Sequence, residues 1–92
     1  MSAADWGAHA QRMARFLVQH RHEPAECGVA YAAFKGHDSP LRHGMTITSC
    51  LTGGHMIWWT VEAKSERQAL GFLPIYVADR STATRVSEVE IP

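Results

Sequence analysis

Two stretches of strict alternation, ARFLVQHRH at 14–22 and HMIWWTVEA at 55–63, limit this chain to folds built on a sheet with one buried face. Successive side chains on a strand point to opposite faces, so Phe16, Val18, His20 and His22 share one side and Leu17, Gln19 and Arg21 the other. In the second stretch His55, Ile57, Trp59 and Val61 oppose Met56, Trp58, Thr60 and Glu62. Both stretches carry histidine where the chain leaves or enters the sheet.

The remaining segments fall around these two. Glu23 and Pro24 open a helix over 24–35, since proline suits the first helical position and a carboxylate there complements the helix dipole. Cys27, Ala30, Tyr31 and Phe34 recur at helical spacing and Gly36 ends the run. The stretch HDSPLRHG at 37–44 is a loop. MTITSCL at 45–51, with Cys50 on the face opposite Met45, Ile47, Ser49 and Leu51, forms a hairpin with 55–63 through Thr52, Gly53 and Gly54. Ser65 with Gln68 is a capping-box pair that starts a second helix through Leu73, which Pro74 kinks or ends. Residues 82–91 are β-prone and supply the last strand.

At 92 residues the chain holds one core, which we place at 13–92 behind a peripheral leader at 1–12; Met13 is an alternative start. Nine basic and nine acidic side chains balance to zero, with no basic stripe, so nucleic acid is not an expected partner. No window approaches the roughly 18 apolar residues of a membrane span, and a signal peptide's basic start and apolar run are absent. The cytoplasm is therefore the expected location, where Cys27 and Cys50 stay reduced as packed side chains, metal ligands or redox groups.

The order β-α-β-β-α-β at this length resembles the ferredoxin-like fold and, within it, the dimeric α/β-barrel superfamily. The resemblance implies an α+β domain with a four-stranded antiparallel sheet, two helices on one face, and a second copy packed on the other. It also implies strand order 4-1-3-2 and a small-molecule protein, such as a cofactor-independent oxygenase or isomerase acting on aromatic or polyketide-like compounds. A homodimer accords with the apolar residues Leu17, Met56 and Trp58 on the face away from the helices. On that face Gln19, Arg21, Thr48, Met56 and Trp58 offer apolar walls and a few polar groups for a small organic ligand, or simply pack the interface. Arg21 there pairs with a ligand's negative oxygen or with Glu62 or Glu88 of a neighbouring strand.

With that strand order, the end of the first strand, the start of the first helix and the hairpin turn meet. His20, His22, Cys27 and His55 then form a candidate site for zinc or another soft transition metal. Against it stand the nonstandard spacing His-x-His-x4-Cys and the readiness of Cys27 to act as a small buried hydrophobe. By parity Cys50 faces away, unless a twist or bulge at the turn brings it round. His37, Asp38 and His43 suggest proton transfer, although turn chemistry accounts for Asp38. The residues do not decide between enzyme, metal-binding protein and structural dimer, and no cofactor is required by them.

Overall fold

The computed structural model describes residues 13–92; the leader expected at 1–12 lies outside the described residues. Alternation does what its period dictates. Strand β1, Ala14–Arg21, and strand β3, Met56–Ala63, pair antiparallel with Val18 opposite Trp59 and His20 opposite Ile57. Their inward residues Phe16, Val18, Ile57, Trp59, Val61 and Ala63 are buried, and Val18, Ile57 and Ala63 are wholly so. Burying an aliphatic side chain of this size contributes about 1.5–3 kcal/mol, so this one face supplies the core.

The other two strands flank this pair. Strand β4, Ser81–Val86, runs antiparallel to β1, and the two-residue strand β2, Ile47–Thr48, runs antiparallel to β3. The sheet thus has four antiparallel strands in the order β2-β3-β1-β4. The expected strand over 45–51 is cut to Ile47–Thr48, because the Thr48 hydroxyl accepts from the Cys50 amide at 3.1 Å and folds the chain into a 3-10 turn, Cys50–Thr52. The last strand ends at Val86 rather than 91.

The predicted first helix begins with a 3-10 turn, Pro24–Glu26, and continues as α1, Cys27–Ala32. The Glu23 amide donates to the Glu26 carboxylate at 3.0 Å, which occupies one of the end's spare donors. The Ser65 hydroxyl caps α2, Glu66–Leu70, by accepting from the Gln68 amide at 3.1 Å. Gln68 reaches back to the Lys64 amide. The helix ends at Leu70 with Gly71 as its C-cap, three residues short of the expected Leu73, and Pro74 instead stands at the N-cap of a separate short helix, α3, Ile75–Ala78. Ala69, Leu73 and Val77 from this half, with Phe34 from the first, pack on the inward face of the sheet. No helix among the described residues is long and apolar enough to cross a membrane.

Candidate metal centre

The first strand delivers His22 one residue past its end, and the His22 amide donates to the His55 carbonyl at 3.1 Å. That bond pins the exit of β1 to the entrance of β3. His55 itself adopts a left-handed backbone, φ 53°, a conformation that costs a non-glycine residue about 1–3 kcal/mol unless its surroundings hold it. Here the strand pairing and the His22 bond do so. Its imidazole lies beside that of His22, with ring centroids 5.7 Å apart.

Cys27 enters as the first residue of α1, and Cys50 as the first of the 3-10 turn that replaces the end of the expected strand. That turn closes through Gly54, whose amide donates to the Ser49 carbonyl at 2.8 Å, while Ser49 Oγ accepts from the Met56 amide at 3.1 Å. A β-carbon on Gly54 would lie 2.6 Å from Ser49 Cβ and collide with its hydroxyl as well. Gly54→Ala should therefore displace this turn and cost about 1–3 kcal/mol, the usual range for overpacking. Urea unfolding checks the figure, and an unchanged midpoint would show that the turn yields freely.

The result is a cluster of four: one donor atom each from His22, Cys27, Cys50 and His55, all within 4.8 Å of one another. His22 is buried and the other three are half-buried. Zinc bonds of about 2.3 Å to sulfur and 2.0–2.1 Å to nitrogen place neighbouring ligands of a tetrahedron roughly 3.3–3.8 Å apart, so side-chain adjustments of an ångström suffice. Further, His55 Nδ1 is buried with no hydrogen-bond partner, a condition that costs about 1–3 kcal/mol and that ligation or protonated neighbours relieve.

Three of the four residues expected from sequence are in this cluster, and the fourth is replaced. His20 is completely buried one step behind it, with its Nε2 3.0 Å from His22 Nδ1 and its Nδ1 turned toward the Val77 carbonyl at 3.2 Å and Ser81 Oγ at 3.1 Å. Both nitrogens are thereby taken. Cys50 occupies the vacated role, 3.3 Å from His22 Nε2. The register sets Ile47 opposite the outward Trp58 and Thr48 opposite the inward Ile57, so Thr48 and, two residues on, Cys50 belong to the inner face, the reverse of the faces expected for 45–51. The connection that sets this register runs over 49–55, longer than a tight hairpin turn, and includes Gly53 at φ 88°.

Charge in the cluster is tuned by its surroundings. Burial holds the His20 and His22 imidazoles below their ordinary pKa, and the neighbouring His55 reinforces this at His22. Burial pushes the Cys50 thiol up, but closeness to Thr48, Tyr31 and Cys27 outweighs it and leaves the thiol below its usual value. Cys27, hydrogen-bonded to Cys50, is pushed the other way. The Tyr31 hydroxyl sits 2.8 Å from Thr48 Oγ1 and 3.6 Å from Cys50 Sγ. Burial thus favours the neutral His22 imidazole, and the thiol pair holds one member that ionises readily, both of them states that can donate an electron pair to a metal.

The outer face of the sheet is arranged differently from the ligand site expected there. Trp58 is half-buried and its indole donates to Gln19 Oε1 at 3.2 Å. Arg21 is exposed and reaches Met56 Sδ at 3.7 Å, and the partner of Glu88 is Arg15. A cleft of about 300 Å³ does open beside Trp58, lined by Leu17, Leu41, Met45, Ile47 and Thr60. Of Gln19, Arg21, Thr48, Met56 and Trp58, Trp58 alone lines it. Thr48 is on the other face: it stands opposite the inward Ile57, with its hydroxyl bonded to Tyr31 of α1. In the loop, His37 Nε2 is buried without a partner, and His43 lines a smaller cleft with Tyr31 and Phe34. Comparison with known protein families, with curated proteins and with solved structures finds no match to this chain.

Proposed function

We propose that this is a metal-binding protein, with zinc or a similar soft divalent ion held by His22, Cys27, Cys50 and His55. The observation that carries this reading is the convergence of two sulfur and two imidazole donors, from three separate parts of the chain, to within 4.8 Å. A mixed set of two thiolates and two imidazoles suits zinc, and four protein donors complete its tetrahedron. No position is then left for a water or substrate, so the chemistry favoured is structural or metal-sensing and not hydrolytic. A domain of this size gains from such a staple, since its first helix and its second strand are short.

Metal uptake tests the reading. The untagged, reduced protein should take up one cobalt(II) per chain, with the visible bands of a tetrahedral ion and thiolate-to-metal charge transfer, and zinc should displace it. Cys27→Ser and Cys50→Ser should each weaken uptake and abolish one thiolate's share of the charge-transfer intensity. Octahedral cobalt spectra, or uptake unaffected by both substitutions, would refute the site.

A second reading has one observation in its favour, the cleft against Trp58 on the outer face. Under it the protein binds a small apolar compound as a ferredoxin-like homodimer, a fold supported by the sheet order, which read from the far edge is β4-β1-β3-β2. The exposed Met45 and Ile47 beside the cleft are the surface that a second copy would cover. Absence of cobalt uptake would leave this reading in place of the first.

A further inference from the structure

The histidine missing from the cluster has a different part to play, and the hydrogen-bond chain behind His22 defines it. The Val77 carbonyl can only accept, so His20 Nδ1, 3.2 Å away, must carry a proton. Ser81 Oγ is 3.1 Å from the same nitrogen, but its own hydrogen is committed to the Val77 carbonyl at 2.6 Å, so the hydroxyl too acts as acceptor toward the ring. A neutral imidazole has one N–H, and charge on this wholly buried ring is disfavoured, so His20 Nε2 is left as a lone pair. It faces His22 Nδ1 at 3.0 Å, which must then be the protonated nitrogen of that ring. His22 Nε2, the atom turned to Cys50, keeps its lone pair.

The opposite assignment fails at two points. A proton on His20 Nε2 would leave its Nδ1 lone pair against a carbonyl oxygen, with no free donor to relieve it. A proton on His22 Nε2 would close that atom to any ligand. We infer that His20 is the positioning residue of the cluster: anchored on the Val77 carbonyl and Ser81, it fixes the tautomer and the ring orientation of His22 so that Nε2 is the donor atom offered to the metal. The inference deepens the metal-binding reading and rests on it for its consequence, though the tautomers themselves are properties of the protein without metal. It also ties the site to the junction of α3 and β4, a part of the chain that contributes no donor of its own. Outer hydrogen-bond partners of ligating histidines commonly account for about 10–100-fold in metal affinity.

The test is a long-range proton–nitrogen correlation spectrum of reduced, metal-free protein labelled with nitrogen-15 in histidine, at about pH 8, above the ordinary imidazole range. Both His20 and His22 should show a protonated Nδ1 and a pyridine-like Nε2, and zinc should then shift His22 Nε2 while leaving Nδ1 protonated. A protonated Nε2 on His22 would overturn the inference. His20→Phe keeps the bulk, leaves Ser81 to satisfy the Val77 carbonyl and strips His22 Nδ1 of its acceptor. It should bind zinc about 10–100-fold more weakly, whereas His20→Gln, which returns an oxygen near the Nε2 position, should recover most of the loss. Equal zinc affinity in wild type and His20→Phe would also overturn it, and should His20→Phe not fold, the wild-type spectrum decides. Wild-type protein that takes up no zinc yet shows both rings protonated on Nδ1 would refute the metal reading while upholding the tautomers.

Discussion

Trp59→Ala should destabilise the domain by about 3–5 kcal/mol, the range for truncating a buried tryptophan. Trp59 is 8% exposed at the middle of β3, opposite Val18, with the Phe34 ring 5.9 Å away and the His20 ring 6.4 Å away. Its removal would therefore open a cavity that borders both Phe34, in the turn after α1, and the buried imidazole behind the cluster. Domains as small as this sit toward the low end of the usual 5–15 kcal/mol of total stability, so the variant should be largely unfolded in modest urea. Its neighbour gives the control. Trp58 is half-buried on the outer face with its indole on Gln19, and Trp58→Ala should cost less than half as much. Urea midpoints for the two variants measure the contrast, and a Trp59→Ala midpoint equal to the wild type would show that this ring is not part of the core.

That contrast between adjacent tryptophans was legible from alternation alone, as were the inward faces of β1 and β3, because a period of two leaves no freedom once one face is buried. The meeting of His22 with His55 followed from the same logic, since a strand end and a strand start in antiparallel pairing must lie together. Parity along the second strand is a guide only once its register against β3 is known, and the connection over 49–55 hides that register. Thr48 and Ser49 use their hydroxyls to bond the backbone of residues 50 and 56, which ends β2 after two residues. The pairing of Thr48 with Ile57 puts Thr48 on the inner face, the same side that alternation then gives Cys50. Alternation puts His20 on the correct face but says nothing of the carbonyl at Val77 that engages its Nδ1 and keeps it out of the cluster. The four-way cluster thus depends on one feature of sequence period and one of strand register, and only the first can be counted along the chain.

Metal should raise the thermal stability of this domain more than any single substitution restores it. A ligand that binds only the folded state at about 1,000 times its dissociation constant adds roughly 4 kcal/mol, and at about 4–8 °C per kcal/mol in a domain of this length the melting point should rise by about 15–30 °C. Excess chelator should reverse the rise, and the double variant Cys27→Ser, Cys50→Ser should lack it. The effect of acid has a defined sign. Burial depresses the His20 and His22 imidazoles in the fold, so relative to the unfolded chain the folded state binds fewer protons. Their contribution is whole above the unfolded value of about 6.5 and is lost as pH falls from there through the lower folded values. Protons also compete with the metal for the same nitrogens and sulfurs, so the zinc-dependent part of the stability should shrink over the same interval and the two losses should add. Differential scanning calorimetry at about pH 7.5 and pH 5.5, with zinc and with chelator, separates them, the chelated protein reporting the imidazoles alone. Coincident melting points with zinc and with chelator at the higher pH would mean that the four donors close together without holding an ion.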